Sequence, residues 1–344
     1  MGLRTRNWDR LGNGGLTFTE LGFGTAPLGN LYKAISDDDA RATLDAAWEG
    51  GVRYFDTAPL YGLGLSETRL NPFLRDKPRD SYILSSKVGR LIEYCAAEHR
   101  AGIGKWFEVP QRRENFDYTY DGVMRSYEDS LARLGLARVD CLAVHDLDPR
   151  HQKSEAGVAA ALDQLEQGRG FAALRELKEQ GEIGAIGAGI NEVGMISRFV
   201  ERFEMDYFLI ASPYNLLEQT ALAEDLPLCE EHGIGVVLGA VFASGILASG
   251  SRAGAKFRYQ AADTAILERV REIDLICQRH GVPLTAAALQ FPLHHGAVNC
   301  IIPGANHPDQ VTANLAAYTT AIPDDLWREL KQQGHLPLEA PTPG

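Results

Sequence analysis

The sequence predicts an α/β protein built as a (β/α)₈ TIM barrel, and three observations favour this fold class. Short apolar segments alternate with longer amphipathic segments along the chain. The apolar segments are nearly continuous, which is typical of parallel strands buried on both faces. Eight repeats of the strand–helix unit favour closure into a barrel over an open sheet. The predicted strands are Glu20–Phe23, Val52–Phe55, Ser81–Ser85, Val139–Val144, Ile183–Ala188, Tyr207–Ala211, Ile234–Leu238 and Val298–Ile302.

The amphipathic segments between these strands predict the outer helices. Val123, Tyr127, Leu131 and Leu134 recur at helical spacing along one of them. A glycine directly after another segment, Gly181, is typical of a helix C-cap. The predicted helices are Asp37–Glu49, Asp121–Leu134, Phe171–Glu179 and Asp263–Arg279.

The chain of 344 residues shows no change of composition that would divide it. Because α/β barrels exceed the usual domain size, we predict one domain over residues 1–344, with an irregular tail at about 334–344. The connection 89–115 after the third predicted strand is long for a loop. Its aromatic residues fit either a flap that faces the substrate or a loop that is only packed against the barrel.

Composition excludes several function classes. A formal net charge of −12 disfavours binding to nucleic acids or anionic membranes, since both would repel the protein. No apolar run approaches the ~20 residues that span a bilayer, and the N-terminus does not resemble a signal peptide. The five cysteines form no CxxC pair, which favours a reducing cytoplasm and disfavours disulfides or a metal site. We therefore expect a small-molecule substrate as partner.

Polar side chains follow three of the predicted strands where each strand ends. Asp56 and Tyr61 come after the second strand, Lys87 after the third and His145 after the fourth. In a (β/α)₈ barrel the carboxyl ends of the strands form one rim, and the chemistry lies there. We therefore expect these four side chains to gather at one end of the barrel.

This set of residues suits hydride chemistry. A phenol such as Tyr61 has an ordinary pKa of ~10, too high for efficient proton transfer near neutrality. A nearby ammonium, Lys87, would lower that pKa, and Asp56 would balance the buried charge of the lysine. His145 would orient the substrate oxygen. Tyr61 would then accept the hydroxyl proton in oxidation and return it in reduction.

Each residue taken alone also has a structural interpretation. Asp56 fits a turn or a helix cap, and Tyr61 fits an aromatic side chain packed beside a turn. Lys87 fits a strand-end lysine that extends to solvent, and His145 fits a hydrogen-bonded structural histidine. Their common position at one rim favours the catalytic interpretation.

At these positions the sequence resembles the aldo-keto reductase family. The resemblance extends from about residue 17 to residue 318, and its motifs occur in the expected order and spacing. The matching motifs are Phe55-Asp56-Thr57-Ala58-Pro59-Leu60-Tyr61-Gly62 with Ser66-Glu67, Ser85-Ser86-Lys87-Val88-Gly89, the segment 130–136 with His145-Asp146, Ile186-Gly187-Ala188-Gly189-Ile190-Asn191 and Ile302-Pro303-Gly304-Ala305. The resemblance implies a catalytic tetrad of Asp56, Tyr61, Lys87 and His145.

The resemblance also implies where a nicotinamide cofactor binds in extended form, without a Rossmann domain. Asn191 matches the position that holds the nicotinamide carboxamide, and Ser244, Gly245 and Leu247 match the loop around the pyrophosphate. Segment 304–314 matches the adenosine site, with contacts from Gly304, Gln310 and Asn314.

The adenosine segment departs from the pattern of family members that prefer NADP. Those members place basic residues there, whereas Gly304–Gln310 contains no Lys or Arg and includes the acidic Asp309. A 2′-phosphate would therefore lack charge-assisted partners, and we predict NAD over NADP. Gly239 stands where many members place the aromatic ring under the nicotinamide, so that ring is either Phe242 or absent.

Within the family, segments 117–122 and 241–247 and the Gly189-Ile190-Asn191 turn are most similar to the aldose 1-dehydrogenase branch. This resemblance implies oxidation of the hemiacetal hydroxyl of an aldose such as L-fucose, or of pyridoxal, to a lactone. Both substrates present the same hemiacetal, so both stay open, and the expected wall of the substrate pocket is Leu60, Trp106, Phe107, Tyr118 and Tyr214.

Three further functions stay open at this point. The first is a general carbonyl reductase that runs the same chemistry in reverse. The second is a lyase that forms a Schiff base through Lys87, which leaves Tyr61 and Asn191 without special roles. The third is a cofactor-binding regulatory subunit without catalysis, which a complete tetrad disfavours.

Overall fold

The computed structural model describes residues 2–8, 15–96, 105–258 and 260–343. Strands and helices alternate over most of these ranges. The strands are β1 (Thr5–Asn7), β2 (Thr17–Thr19), β3 (Phe23–Gly24), β4 (Tyr54–Asp56), β5 (Ile83–Val88), β6 (Arg90–Tyr94), β7 (Arg112–Phe116), β8 (Cys141–His145), β9 (Ala185–Ile190), β10 (Tyr207–Ala211), β11 (Gly235–Gly239), β12 (Lys256–Phe257), β13 (Gln260–Ala261) and β14 (Val298–Ile301).

The helices surround the central sheet, and those predicted from the sequence are confirmed to within one residue at each end. None of the helices in the described ranges is long and apolar enough to cross a membrane. The helices are α1 (Asp37–Glu49), α2 (Leu65–Leu74), α3 (Tyr120–Leu134), α4 (Pro149–Gln152), α5 (Glu155–Glu166), α6 (Gly170–Glu179), α7 (Met195–Val200), α8 (Asp225–His232), α9 (Ile246–Ser249), α10 (Thr264–Arg279), α11 (Leu284–Gln290), α12 (Pro308–Thr319) and α13 (Asp324–Gln332).

Eight parallel strands form the predicted barrel within the described part of the chain. Their order is β14-β11-β10-β9-β8-β5-β4-β3, and each predicted strand has a counterpart, although the first, β3, shares only Phe23 with the predicted Glu20–Phe23. Parallel bridges from Leu21 to Ile301 and from Gly24 to Gly304 join the first strand to the last. A Cβ at Gly24 would lie only 2.8 Å from the carbonyl oxygen of Ile302, so this closure depends on a residue without a side chain.

An N-terminal hairpin that the sequence did not predict covers the amino end of the barrel. Strands β1 and β2 pair in antiparallel fashion. Trp8 packs edge-on against Tyr207 at 5.6 Å, and Phe18 packs edge-on against Tyr54 at 4.9 Å. These aromatic side chains fill the barrel interior at its amino end. The opposite end, formed by the carboxyl ends of the strands, carries the polar residues.

The long connection 89–115 is partly regular. Strands β6 and β7 form an antiparallel hairpin, while residues 97–104 lie outside the described ranges. Trp106 joins this connection to the barrel through an antiparallel bridge with Leu31. Tyr94 and Phe107 are exposed to solvent, at 81% and 48% of their surface. The connection therefore brings Trp106, rather than Phe107, toward the open end of the barrel.

Candidate active site

Four polar side chains meet at the carboxyl ends of β4, β5 and β8. The ammonium of Lys87 lies 2.8 and 2.9 Å from the two carboxylate oxygens of Asp56 and donates to the carbonyl of Thr57 at 2.8 Å. It also donates to the hydroxyl of Tyr61 at 3.1 Å. Lys87 and Asp56 are each only 1% exposed. The carboxylate compensates the cation, and the cation in turn contacts the phenol.

Two glycines determine the position of Tyr61. Gly62 has a φ of +66°, which glycine adopts without strain. A Cβ on Gly62 would lie 2.5 Å from the carbonyl oxygen of Gly29, and one on Gly29 would lie 2.5 Å from the carbonyl carbon of Tyr61. Only two residues without side chains can approach so closely. This packing holds the Tyr61 ring 4.8 Å from the Lys87 ammonium.

A hydrogen-bond chain connects the tetrad to the barrel interior. The hydroxyl of Ser85 donates to Asp56 at 2.7 Å and lies 2.9 Å from the hydroxyl of Tyr54. Burial and the nearby Asp56 carboxylate raise the pKa of Tyr54 well above its ordinary value, so that phenol stays neutral. The Asp56 carboxylate is therefore held by the neutral Ser85 hydroxyl on the side of the barrel interior and by the Lys87 ammonium on the other side.

His145 ends β8, the strand that pairs with the strand of Lys87, and its ring faces Tyr61. Its ring meets the Tyr61 ring edge-on, with the centroids 6.0 Å apart. Tyr118 donates to the His145 carbonyl at 2.8 Å. Burial lowers the pKa of His145 well below its ordinary value, and the cations of Arg90 and Lys87 act in the same direction. The imidazole is therefore neutral near pH 7 and can donate or accept a hydrogen bond without carrying charge.

The carboxylate next to His145 organises a second group of side chains. Asp146 lies 2.7 Å from the Arg90 guanidinium and 3.3 Å from Nε2 of His145. It accepts a 2.8 Å hydrogen bond from the amide of Asn191. Although burial alone would raise the pKa of Asp146, the charge of Arg90 and the hydrogen bond from Asn191 hold it far below its ordinary range. This ionised carboxylate links the histidine to Asn191.

Asp148 supports the same asparagine from a second direction. It accepts from the amide of Asn191 at 3.1 Å and from the ring of His151 at 2.7 Å. Sequence reasoning missed this residue, since an aspartate before Pro149 is typical of a helix N-cap. Asp148 is indeed the N-cap of α4. Its second contact arises only because β8 and β9 are neighbours in the barrel.

Asp146, Asp148 and His151 offer ligand atoms within 4.8 Å of one another, a spacing that could suit a metal ion. Their atoms already have partners, since Asp146 binds Arg90 and Asp148 binds His151. A guanidinium in contact with the same carboxylate opposes a second cation there. We therefore assign these side chains to the positioning of Asn191 and not to a metal.

The tetrad opens into a cavity with two parts. The first part is lined by Tyr61, Lys87, His145 and Asn191 together with Leu60 and Trp106, two of the predicted wall residues. Phe107, Tyr118 and Tyr214 do not line this part among the described residues. Tyr118 lies beneath His145, and Tyr214 packs against Phe291 at 5.2 Å. Pocket-wall roles for these three side chains have no support in the geometry.

The second part is an apolar groove that continues from Tyr61 across the barrel rim. Several predicted cofactor residues line it, whereas Leu247 and Asn314 lie outside its described lining. Leu247 is buried behind the loop, and Asn314 lies near Leu21 and Leu315 at a separate small depression. The predicted residues on the groove are Ser244, Gly245, Gly304 and Gln310, with Gly239 and Phe242 beside them.

Comparison with known proteins identifies the family. The model of the aldo/keto reductase family matches residues 20–334. The chain belongs to the aldo-keto reductase family. A pyridoxal 4-dehydrogenase from Microbacterium luteolum is 41% identical, over 97% of this chain and 99% of that protein. A D-threo-aldose 1-dehydrogenase from a Pseudomonas species is 39% identical, over 94% of this chain and 96% of that protein.

A solved structure of the same family agrees with the fold. An aldo-keto reductase from Bacillus halodurans, solved in its holo form, superposes with a TM-score of 0.71. It is 26% identical, and the match covers 96% of each chain. The eight-stranded barrel is therefore the family's (β/α)₈ architecture.

Aldo-keto reductases use nicotinamide cofactors, and the groove fits such a ligand. Ala243, Ser244 and Gly245 have successive positive φ angles of 47°, 63° and 97°. These angles shape the wall of the groove, and the amides of Ala243 and Gly245 donate within the loop, to the carbonyls of Ala240 and Phe242 at 2.7 and 2.9 Å. Asn191 stands at the other end, beside the tetrad, where a carboxamide could bind. The residues that could hold the cofactor are Asn191, Ser244, Gly245, Gly304 and Gln310.

Proposed function

We propose that the protein is an NAD-dependent dehydrogenase that oxidises the hemiacetal hydroxyl of an aldose such as L-fucose, or of pyridoxal, to a lactone. One observation carries the proposal: the Lys87 ammonium joins the Asp56 carboxylate to the Tyr61 hydroxyl inside a cavity. The two dehydrogenases that share about 40% of their residues with this chain act, by name, on pyridoxal and on aldoses.

Tyr61, Lys87 and His145 have separate roles in the oxidation. A hemiacetal becomes a lactone by losing a hydride from its carbon and a proton from its hydroxyl, and the bound nicotinamide takes the hydride. Tyr61, as a phenolate that Lys87 stabilises by direct charge, accepts the proton and becomes a neutral phenol. Neutral His145, on the other side of the substrate oxygen, holds that oxygen toward Tyr61 by a hydrogen bond.

Preference for NAD over NADP is supported by the charge of the groove. Its described lining contains no Lys or Arg, and its far end is formed by Gly304, Asn306 and Gln310. Gln310 is turned toward its own loop, since its Oε1 accepts from the Asn306 backbone at 2.9 Å. The dianionic 2′-phosphate of NADP would meet only neutral groups at this end and would lack charge-assisted hydrogen bonds. The ribose 2′-hydroxyl of NAD is neutral and needs no charged partner.

The contacts of Lys87 disfavour the Schiff-base alternative. Its nitrogen is directed to four oxygens, those of Asp56, Thr57 and Tyr61, and is 1% exposed. A lyase needs this nitrogen to attack a carbonyl as a free amine. Borohydride treatment in the presence of pyridoxal tests the alternative, because it traps a Schiff base on Lys87 as a stable adduct. We expect no adduct at Lys87.

A small substrate panel tests the proposal. L-fucose, D-arabinose, L-galactose and pyridoxal are each supplied with NAD and with NADP, and the absorbance of the reduced nicotinamide is followed. We expect NAD reduction with at least one hemiacetal and a higher kcat/KM for NAD than for NADP. Absence of reduction with every hemiacetal would refute the dehydrogenase. Equal or greater efficiency with NADP would refute the cofactor preference alone.

A further inference from the structure

A second histidine lines the substrate part of the cavity. This residue, His151, lies in α4, which follows β8 along the chain. Its side chain is 24% exposed and contacts the fully buried carboxylate of Asp148. The ring is therefore held against the inner wall of the cavity, although the tetrad makes no use of it.

The Asp148 carboxylate determines how the His151 ring is turned. One carboxylate oxygen lies 2.7 Å from Nδ1 of the ring and accepts from the His151 backbone nitrogen at 3.0 Å. Although burial alone would raise the pKa of Asp148, the hydrogen bond from His151 lowers it below its ordinary value. The carboxylate is ionised and can only accept, so Nδ1 carries a proton and donates.

The other ring nitrogen, Nε2, is left for a ligand. It lies 3.7 Å from a carboxylate oxygen of Asp146, beyond hydrogen-bond distance, and it has no hydrogen bond to the part of the chain that the structure describes. Because Nδ1 donates to Asp148, Nε2 accepts when the ring is neutral and donates when the ring is protonated. A hydroxyl can do both, whereas an ether or carbonyl oxygen only accepts. A hydroxyl therefore suits Nε2 in either state.

The His151 ring stands next to the reacting centre. One oxygen of Asp146 lies 3.3 Å from Nε2 of His145 and 3.7 Å from Nε2 of His151. The two imidazoles are therefore neighbours at one wall, and the His145 ring faces Tyr61. A sugar carries hydroxyls on successive carbons. When its reacting hydroxyl lies between Tyr61 and His145, a further hydroxyl of the same ring is within reach of His151.

We propose that His151, held in place by Asp148, binds a second hydroxyl of the substrate, so that the preferred hemiacetal carries a hydroxyl beyond the reacting one. This inference rests on the proposed dehydrogenase function and narrows its substrate class. Aldoses supply several such hydroxyls, and the hemiacetal of pyridoxal supplies one on its aromatic ring. A plain cyclic hemiacetal such as 2-hydroxytetrahydropyran supplies none.

The test compares matched substrates in the holoenzyme with saturating NAD. 2-Hydroxytetrahydropyran has the six-membered ring of D-arabinose without its other hydroxyls, and 2-deoxy-D-ribose lacks only the hydroxyl at carbon 2 of D-arabinose. The measured quantity is the ratio of kcat/KM for D-arabinose to kcat/KM for each of the other two. A site that hydrogen-bonds a substrate hydroxyl discriminates strongly against the analogue without it. We therefore expect the ratio to 2-hydroxytetrahydropyran to exceed ten in the unmodified enzyme.

Three variants assign this ratio to the histidine. His151→Phe removes both nitrogens and keeps a ring, while His151→Gln keeps a polar group near the position of Nε2. His232→Phe makes the same exchange at an exposed residue of α8 that lines neither part of the cavity, and serves as the control.

The ratio should fall about ten-fold in His151→Phe, as loss of a hydrogen bond implies. It should recover at least in part in His151→Gln and stay unchanged in His232→Phe. A similar fall in the ratio to 2-deoxy-D-ribose assigns the bound hydroxyl to carbon 2, and its absence assigns a more distant hydroxyl. A purely structural role of His151 would lower both efficiencies together. An unchanged ratio in His151→Phe, or a ratio near one in the unmodified enzyme, overturns the inference.

A direct binding measurement separates this inference from the dehydrogenase proposal. Fluorescence of NADH bound to the enzyme, titrated with D-arabinose and with 2-hydroxytetrahydropyran, reports affinity without turnover. If no hemiacetal is oxidised but D-arabinose binds more tightly and loses this advantage in His151→Phe, the proposed reaction fails and the hydroxyl subsite stands. If both ligands bind equally, or neither binds, the subsite is refuted whatever the activity.

Discussion

Asp148 and Asn191 are joined by two hydrogen bonds, one from the side-chain amide at 3.1 Å and one from the backbone nitrogen at 3.3 Å. The amide also donates to Asp146 at 2.8 Å. Because both carboxylates take the nitrogen side of the amide, Asn191 presents its oxygen as an acceptor. An acceptor of this kind suits the N–H groups of a carboxamide.

This relationship predicts that Asp148→Asn weakens NAD binding. The variant replaces one acceptor oxygen by a donor that opposes the Asn191 amide, so the asparagine can rotate. We expect the dissociation constant for NAD to rise by about ten-fold, since one hydrogen bond to a charged group is worth about 1.5 kcal/mol or more. Titration of the intrinsic fluorescence with NAD measures the change.

The exposed Asp163→Asn on α5 makes the same chemical change away from the site and should leave the affinity unaltered. At saturating NAD, kcat of Asp148→Asn should change less than the dissociation constant. A variant that binds NAD as tightly as the unmodified protein would show that Asn191 does not depend on this support.

The second prediction concerns the proton acceptor. Tyr61→Phe removes the hydroxyl that lies 3.1 Å from Lys87 while leaving the ring in place. We expect kcat for hemiacetal oxidation to fall about 10³-fold, within the range for loss of a general base. Affinity for NAD should stay nearly intact, because the groove is unchanged. Steady-state kinetics with parallel cofactor titration measures both quantities.

Tyr214→Phe is the matched control, since Tyr214 is buried against Phe291 and does not line the described cavity. It should retain turnover within about two-fold. Near-normal activity of Tyr61→Phe would remove Tyr61 from the proton transfer, and a large loss in Tyr214→Phe would show that distant phenols also matter.

The barrel could be predicted from the sequence because buried parallel strands are visible as continuous apolar segments. The rim could be predicted because polar residues such as Asp56 and Lys87 directly follow or end these segments. The hairpin β1–β2 could not be predicted, since Thr17–Thr19 is too short to have a recognisable pattern and is placed by tertiary contacts such as that of Phe18 with Tyr54. Short segments carry little periodicity, so tertiary contacts decide their structure.

The cavity wall was predicted less well than the rim. Tyr118 was expected there, yet its hydroxyl is used to bind the His145 carbonyl. Lys105 and Arg150 do line the wall, but each stands in a segment without a motif. Side chains that reach a site from separate loops meet only through the fold, and spacing along the chain does not reveal them.

The third prediction addresses cofactor choice. Gln310→Lys introduces a cation at the adenosine end of the groove, where the described lining has no Lys or Arg. We expect kcat/KM for NADP to rise at least ten-fold, because a charge-assisted bond to the 2′-phosphate becomes available. Efficiency with NAD should change little. Kinetics with both cofactors at a fixed hemiacetal concentration measures the switch.

Gln180→Lys, after the exposed end of α6, changes the net charge by the same amount and controls for general electrostatic attraction. It should leave the ratio of the two efficiencies unchanged. If Gln310→Lys does not alter that ratio, the 2′-position of the ribose lies away from residue 310.

The fourth prediction concerns stability and pH. Burial raises the pKa of Asp225 to about 6, and Glu224 acts in the same direction. One carboxylate oxygen accepts from the Gly194 backbone at 3.1 Å, while the other is buried without a hydrogen-bond partner in the described chain. The folded state therefore binds the Asp225 proton more tightly than the unfolded state, whose pKa is near the ordinary 3.8.

The sign follows from proton linkage. Between pH 4 and 6 the folded protein holds more of this proton, so the Asp225 contribution to stability is full at low pH and is lost as pH rises through about 6.

Asp225→Asn stays neutral throughout and removes this loss. We expect the Tm of the variant minus that of the unmodified protein to become more positive by about 2 °C from pH 5 to pH 7.5. Differential scanning fluorimetry across this range measures it, and the exposed Asp163→Asn should show no such trend. A Tm difference that is constant with pH would show that Asp225 is already ionised at pH 5. Burial would then not raise the pKa of this carboxyl.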